Sequence, residues 1–146
     1  MSAVMTRAQR FDWWPYCVLL TGWLLLLAAY ADTARSIVAI WNSSETFAHG
    51  YLILPISAWL IWQRRAALQV IPVRPFLPGA ILLALCGAGW LLAELADVQV
   101  VRQYMLVGLL LAPVLIVLGR DISGAMAFPL LFVFLAVPFG EILSRR

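Results

Sequence analysis

The chain is 146 residues long; 64% of its residues are hydrophobic and only 12% are charged. With a mean hydropathy of +0.96, it carries more apolar surface than a soluble domain of this size can bury, so we expect an integral membrane protein. All ten basic residues are arginine, and they stand in short segments between apolar runs instead of on one face, which argues against a nucleic-acid-binding protein.

Five apolar runs predict an all-α fold, a polytopic membrane bundle of about five transmembrane helices forming one domain over residues 1–146. Each run is about long enough to cross a hydrocarbon core of roughly 30 Å at about 1.5 Å per residue. The predicted spans are residues 13–31, 46–63, 75–93, 103–119 and 122–140.

The first span has a second interpretation, a cleavable signal peptide, because it follows Arg7 and Arg10 and ends in the small residues Ala29 and Ala31. Its uncharged stretch is long enough to cross the membrane and four more apolar runs follow, so we expect the segment to be retained.

The segment after the first span has an apolar face at helical spacing, formed by Ala34, Ile37, Val38 and Trp41. This pattern predicts a short amphipathic helix lying on the outer surface of the membrane. An ordinary loop is the alternative.

The second span, residues 46–63, contains the only histidine, His49, and an internal proline, Pro55. Pro55 has no amide to bond the carbonyl of Tyr51, so the outer half of this helix is expected to bend. Aromatic and basic residues mark the opposite end as a membrane interface: Trp59, Trp62, Arg64 and Arg65.

The later connections carry helix-breaking or charged residues. Prolines interrupt the loop before the third span, and Glu94 and Asp97 form an acidic turn before Arg102. We expect Gly119 to end the fourth helix, and Asp121 or Ser123 to cap the N-terminus of the next helix.

Arginine distribution predicts a cytoplasmic N-terminus, because basic residues favour cytoplasmic loops. Six arginines then lie inside: Arg7, Arg10, Arg64, Arg65, Arg74 and Arg120. Two lie outside, Arg35 and Arg102. The pair Arg145 and Arg146 is the exception, since strict alternation places it outside.

Few side chains suggest chemistry. His49, at the outer end of the second span, suits either interfacial hydrogen bonding or a proton-handling, substrate-contacting role. Glu141, beside the helix breakers Pro138 and Gly140, suits either solvation at the interface or a peptide contact. Cys17 and Cys86 lie at different depths in apolar surroundings, so we expect packing residues and no disulfide. No metal-ligand spacing is present, and no metal or cofactor is expected.

Two sequence blocks resemble the exosortase family, and most closely its exopolysaccharide-associated exosortase A variant. The first is Thr46-Phe47-Ala48-His49-Gly50-Tyr51-Leu52-Ile53-Leu54-Pro55-Ile56-Ser57, followed by Trp59, Trp62, Arg64 and Arg65. The second is Ala136-Val137-Pro138-Phe139-Gly140-Glu141. Chance similarity between apolar helices explains the leucines but not these polar and aromatic motif residues.

The resemblance implies a multi-pass protein of the bacterial inner membrane. It also implies partners with a PEP-CTERM tail, which comprises a Pro-Glu-Pro motif, a transmembrane helix and a basic end, and cysteine transpeptidase or endopeptidase chemistry on that tail. The family's presumed catalytic cysteine, arginine and histidine belong to later helices, so we transfer no catalytic role to Cys17, Cys86 or His49. We therefore expect this chain to be the N-terminal half of such a domain, from a frameshift, split gene or truncation.

The site hypothesis is that the outer ends of spans two and five, with His49, Tyr51 and Glu141, face the catalytic helices and form part of the substrate groove. A competing hypothesis is non-enzymatic: a small multi-pass scaffold or a subunit of an exopolysaccharide exporter. That alternative predicts a stable product of this length. The enzyme-fragment interpretation instead predicts exposed small-residue helix faces, such as those at Gly79, Gly87 and Gly89, that await missing partner helices.

Overall fold

The computed structural model describes residues 13–137, and within this range all regular structure is helical. The all-α prediction is thereby confirmed. A 3-10 helix, Val133–Ala136, follows eight α-helices: α1 Trp14–Ala29, α2 Ala31–Ser43, α3 Gly50–Gln63, α4 Arg65–Val70, α5 Gly79–Leu95, α6 Gln99–Leu118, α7 Arg120–Ala125 and α8 Ala127–Phe132.

Helix α6 is the centre of the bundle and packs against α1, α2, α5 and α7. Its inward residues Leu106, Leu109, Ala112 and Val114 are at most 2% exposed. One apolar cluster surrounds its C-terminal end, where Leu19, Leu118, Ile122 and Met126 are buried together. A second cluster near its N-terminal half joins Leu106 to α2, α3 and the 3-10 helix.

Helices α1, α3 and α5 are apolar on all sides, including the sides that no other helix covers. Leu24 in α1 is 60% exposed, Leu52 in α3 62% and Leu85 in α5 65%. A helix that is apolar all round belongs in an apolar medium, because water would otherwise surround these leucines. Exposed tryptophans close to the charged ends, such as Trp62 in α3, are typical of a membrane interface.

Among the described residues, α6 is the one single helix that is long and apolar enough to cross a membrane. Helices α1 and α2 pass the same test together but are bent by 82° at their junction. Helices α3 and α5 and the segment Ala127–Ala136 are apolar but shorter. Helix length therefore does not confirm the prediction of about five spans.

The structure corrects several predicted boundaries. Helix α5 begins at Gly79, not at residue 75, because Pro75 and Pro78 lie in a non-helical segment. The segment after the first span is a helix, α2, as the amphipathic pattern predicted, and not a loop. The predicted span 122–140 is not one helix in its described part, since the chain breaks at Met126 and then tightens into the 3-10 helix.

Gly119 ends α6 as predicted, with a positive φ of 89°. A Cβ at this position would overlap the carbonyl oxygen of Arg74, so glycine is required both by conformation and by space. The prediction that Asp121 or Ser123 caps the next helix is wrong. Gly119 is itself the N-cap of α7 and no side chain bonds the first turn, while the Ser123 hydroxyl is buried without a hydrogen-bond partner.

The prediction of an exposed glycine face awaiting another helix is also wrong, because α6 already occupies it. A Cβ added at Gly79 would lie 2.9 Å from the Ile116 side chain, and one at Gly89 would lie 2.7 Å from the Met105 sulfur. At Gly87 the added atom would meet Leu109 at 3.9 Å. These glycines let α5 and α6 approach closely within the chain itself.

Candidate functional site

The two motif blocks meet on the side chain of Trp41, at the end of α2. The indole is 7% exposed, and its Nε1 donates a hydrogen bond to the carbonyl oxygen of Ala136 at 2.9 Å. On its other side, a Cβ at Gly50 would overlap the indole ring, so the start of α3 lies directly against it. We call Trp41, Gly50, Tyr51 and Ala136 the Trp41 junction.

Tyr51 covers the exposed rim of this junction. Its ring meets the Trp41 indole edge to face, with centroids 5.0 Å apart and an interplanar angle of 63°, a favourable arrangement for aromatic rings. The Tyr51 hydroxyl donates to Asn42 Oδ1 at 2.6 Å. Since 44% of Tyr51 remains exposed, the ring packs on Trp41 and still leaves part of its own surface uncovered.

His49 stands one residue before α3 and is exposed. Its Nδ1 donates to the carbonyl oxygen of Thr46 at 2.7 Å. Because a carbonyl can only accept, this bond places a proton on Nδ1. In the neutral ring it leaves Nε2 as an unprotonated acceptor.

Tight turns place these side chains at the entrance to α3. The amide of Gly50 bonds the carbonyl of Phe47 at 3.0 Å, and the amide of Tyr51 bonds that of Ala48 at 3.1 Å, both three residues back. This 3-10-like winding turns into the α-helix at Ile53, whose amide bonds the His49 carbonyl at 3.2 Å. The predicted helix start at residue 46 therefore moves to Gly50.

Burial fixes the entrance to the rest of the bundle. Phe47 packs on the same apolar cluster as Ile53, and both border Trp41 and Ala136. The motif residues Thr46 and Pro55 are exposed, whereas Gly50 is buried. Helix α3 runs through Pro55, and the bend expected there stays a prediction.

The second motif block is described only at its start. Ala136 and Val137 are 6% and 4% exposed, so this part is firmly seated in the bundle. The remaining block residues, Pro138, Phe139, Gly140 and Glu141, lie outside the described residues. In the structure, Gly50 and Tyr51 of the first block and Ala136 of the second block all contact Trp41. The proximity of Glu141 to His49 stays a prediction.

Sequence reasoning missed Trp41 and Asn42 as site residues. It placed Trp41 on the apolar face of a surface helix, where nothing distinguished it from Ile37 or Val38. A signal was present, however: an indole at the buried end of such a face needs an acceptor for its N–H. Asn42, next in sequence, supplies the acceptor for Tyr51.

The cysteines do not form a catalytic pair with His49. Cys86 packs against α6, where a Cβ at Gly108 would lie 2.6 Å from its sulfur, and its role as a packing residue is confirmed. Cys17 is exposed, so its prediction as a packing residue is wrong; both thiols are free, as expected. Within residues 13–137, no hydrogen bond joins either thiol to His49, and no cluster of metal-ligating side chains occurs.

A second polar feature lies at the other end of α2, where α1 bends into it. A cleft of about 320 Å³ opens between this bend, the end of α5 and the start of α6. Arg102 stands in its wall, with Nη1 2.5 Å from Glu94 Oε2 and Nη2 3.6 Å from Asp97 Oδ1. The acidic turn therefore neutralises the arginine that follows it.

The floor of this cleft is a hydrogen-bonded polar network. Trp90 Nε1 donates to Thr33 Oγ1 at 3.0 Å, and Gln103 Nε2 donates to Ser36 Oγ at 3.0 Å. Gln103 is completely buried, and its Oε1 has no partner. Helix α2 thus carries the polar cleft at its first turns and the Trp41 junction at its last turn.

Helices with exposed apolar side chains on several faces, such as α1, α3 and α5, are typical of an α-helical membrane protein. A family model described as transmembrane exosortase matches residues 41–146, more than half of the chain, and the chain belongs to this family. The match begins at Trp41 and contains both motif blocks. No curated protein and no solved structure matches the chain.

Proposed function

We propose that this chain functions in an exosortase of the bacterial inner membrane, where it is multi-pass and binds C-terminal sorting signals. The substrates would be proteins with a PEP-CTERM tail, and the reaction would be cysteine endopeptidase or transpeptidase cleavage near the outer face. The observation that carries the proposal is that the family match includes both motif blocks, whose described residues meet at Trp41.

In this proposal the Trp41 junction is a binding surface and not the source of the nucleophile. Tyr51 offers an exposed aromatic face, and His49 offers Nε2 as a hydrogen-bond acceptor for a peptide N–H, because Nδ1 is occupied by Thr46. Glu141 would complete the groove. The thiolate that attacks the peptide carbonyl is assigned to neither Cys17 nor Cys86.

A photocrosslinking experiment on this chain tests the binding surface. Benzoylphenylalanine replaces Tyr51, and the chain is irradiated in membranes that also contain a protein with a PEP-CTERM tail. The matched control places the same residue at Leu24, which is 60% exposed on α1 and away from the junction. Adducts from position 51 and not from position 24 are expected; equal yields from both positions would refute the assignment.

Peptidase activity is tested in an exosortase that contains the family's presumed catalytic cysteine, at the positions that align with His49 and Glu141. We expect substitution of each by Ala to reduce processing of the tail, measured as the shift in mass between precursor and product. Substitution by Ala at the position that aligns with Leu91, which is 53% exposed on α5 and lies outside both motif blocks, is the control. Undiminished processing in both variants would leave the scaffold or exporter-subunit function as the better explanation.

A further inference from the structure

The two ends of α6 differ in how their neighbouring arginines are neutralised. Near its start, Arg102 pairs with Glu94 and Asp97, and the nearby Arg35 lies 3.1 Å from Asp32. Four arginines are exposed near the C-terminal end of α6: Arg64, Arg65, Arg74 and Arg120. Within residues 13–137, none of these four forms an ion pair with a carboxylate.

Backbone contacts gather these arginines around the short helix α7. Arg64 Nη1 donates to the carbonyl oxygen of Ala125 at 2.7 Å. Gly119, directly before Arg120, lies against the carbonyl of Arg74, and the Arg120 guanidinium lies 5.5 Å from the Phe76 ring centroid. We call Arg64, Arg65, Arg74 and Arg120 the basic end.

The basic end has almost no acidic counterpart. Residues 55–80 contain no Asp or Glu, and residues 115–137 contain one, Asp121. Exposed guanidinium groups without carboxylates favour phosphate, which they bind through paired N–H donors. The local charge therefore favours an anionic ligand.

Apolar and aromatic groups alternate with these charges. Arg65 stacks on Trp62 at 4.4 Å from the ring centroid, Trp62 is 63% exposed, and Val70 and Leu77 are 75% and 76% exposed. A free phosphate would use the arginines and leave these apolar side chains uncovered. A phospholipid would satisfy both, with its phosphate on the guanidinium groups and its chains on the apolar surface.

We propose that the basic end is a binding site for anionic phospholipids, with the phosphate held chiefly by Arg74 and Arg120. This site is separate from the Trp41 junction and does not depend on the peptidase function. Arg64 and Arg65 each donate to a backbone carbonyl, of Ala125 and Trp62. Among the described residues, the guanidinium groups of Arg74 and Arg120 make no such hydrogen bond, and they are the ones that we assign to the lipid phosphate. Each such charge strengthens attraction to an anionic membrane about five-fold.

Native mass spectrometry of the full chain tests this site. The protein is purified in detergent and offered equal amounts of phosphatidylglycerol and phosphatidylcholine, and the ratio of bound lipids is measured. The double variant Arg74→Gln/Arg120→Gln should reduce the preference for phosphatidylglycerol by about 25-fold, or to parity if the wild-type preference is smaller. The control Arg35→Gln removes a charge that is already paired with Asp32 and should change the ratio less than two-fold.

Several results would overturn the proposal: no preference in the wild-type protein, an unchanged preference in the double variant, or an equal loss in Arg35→Gln. Single variants Arg74→Gln and Arg120→Gln keep the test informative if the double variant does not fold. Inorganic phosphate serves as a competitor in a separate arm. Displacement of phosphatidylglycerol by phosphate at equal concentration would show a simple anion site, whereas lipid retention supports a site that also binds the acyl chains.

Discussion

At the scale of single residues, Trp41 makes the contact on which the two motif blocks converge. The substitution Trp41→Phe keeps an aromatic ring but removes the Nε1 donor to Ala136. Because the carbonyl of a buried residue then loses its partner, we expect the free energy of unfolding to fall by about 1–3 kcal/mol. Unfolding in mixed micelles measures this change.

The control for that substitution is Tyr51→Phe, which removes a hydrogen bond of similar length to Asn42 at an exposed position. Water can replace the lost partner there, so a cost below about 1 kcal/mol is expected. If Tyr51→Phe lowers the free energy of unfolding as much as Trp41→Phe does, then burial does not explain why the Trp41 hydrogen bond should contribute more.

Gly119 gives a second prediction at this scale. Gly119→Ala forces a Cβ onto a residue with a φ of 89° and into the carbonyl of Arg74, and strain of this kind costs about 1–3 kcal/mol or more. Gly124→Ala is the matched control, because a Cβ at Gly124 has no neighbour within 4 Å and Ala favours the helix. Thermal unfolding in detergent should show a lower midpoint for the first variant and an equal or higher one for the second.

These residues also mark the limit of sequence reasoning. Gly119 was recognised as a helix terminus because glycine between an apolar run and a charged pair has a local signature. Trp41 was not recognised, because its importance depends on Ala136, which is distant in sequence. His49 is exposed and its partner Thr46 is local in sequence, whereas its position at a membrane interface and its role stay predictions.

At the scale of helices, the pair α5 and α6 forms the most extensive contact among the described helices, and Gly108 lies in it. Gly108→Ala places a Cβ 2.6 Å from the sulfur of Cys86, and overpacking of this kind typically costs about 1–3 kcal/mol. Cys86→Ala removes that sulfur. The double variant Gly108→Ala/Cys86→Ala should therefore recover most of the stability lost in Gly108→Ala.

Unfolding free energies of the wild type, both single variants and the double variant form a double-mutant cycle. A favourable coupling of at least about 0.5 kcal/mol between the two substitutions is expected. Gly22→Ala in α1 is the control, since a Cβ at Gly22 has no neighbour within 4 Å. Additive effects of the two substitutions would show that Cys86 and Gly108 do not pack as described.

The helices themselves followed from apolar runs, but their ends depended on what the chain packs against. Prolines moved the start of α5 to Gly79, and the motif turns moved the start of α3 to Gly50. The break at Met126 has a sequence signal that the prediction did not use: Pro129 has no amide to bond the carbonyl of Ala125, four residues back. Glycines that seemed to await a further helix instead face α6, because a sequence alone does not say which neighbour a small residue meets.

At the scale of the whole molecule, charge is distributed unevenly along the axis of α6. The basic end carries four arginines and Asp121, whereas the other end carries paired arginines and several carboxylates. The sequence predicted this asymmetry, because alternation of apolar runs and a count of arginines suffice for it. The pairing of Arg102 with Glu94 needed the structure, which brings the end of α5 to the start of α6.

Membrane topology is the prediction that belongs to this scale. Helix α5 has 17 residues and is about 25 Å long at roughly 1.5 Å per residue, slightly less than a hydrocarbon core of about 30 Å. If α5 crosses the membrane, Val70 and Asp97, which flank it, lie on opposite sides. Reporter fusions should then give fluorescent green fluorescent protein after Val70, in the cytoplasm, and active alkaline phosphatase after Asp97.

The reciprocal fusions provide the control, since alkaline phosphatase after Val70 and green fluorescent protein after Asp97 should both be inactive although the same chain precedes them. The basic end makes this outcome the favoured one, because arginines near helix ends are retained in the cytoplasm. If both positions report the cytoplasm, α5 does not cross, and the arrangement of about five spans would have to be replaced by one in which α6 and the bent pair α1 and α2 carry the membrane insertion.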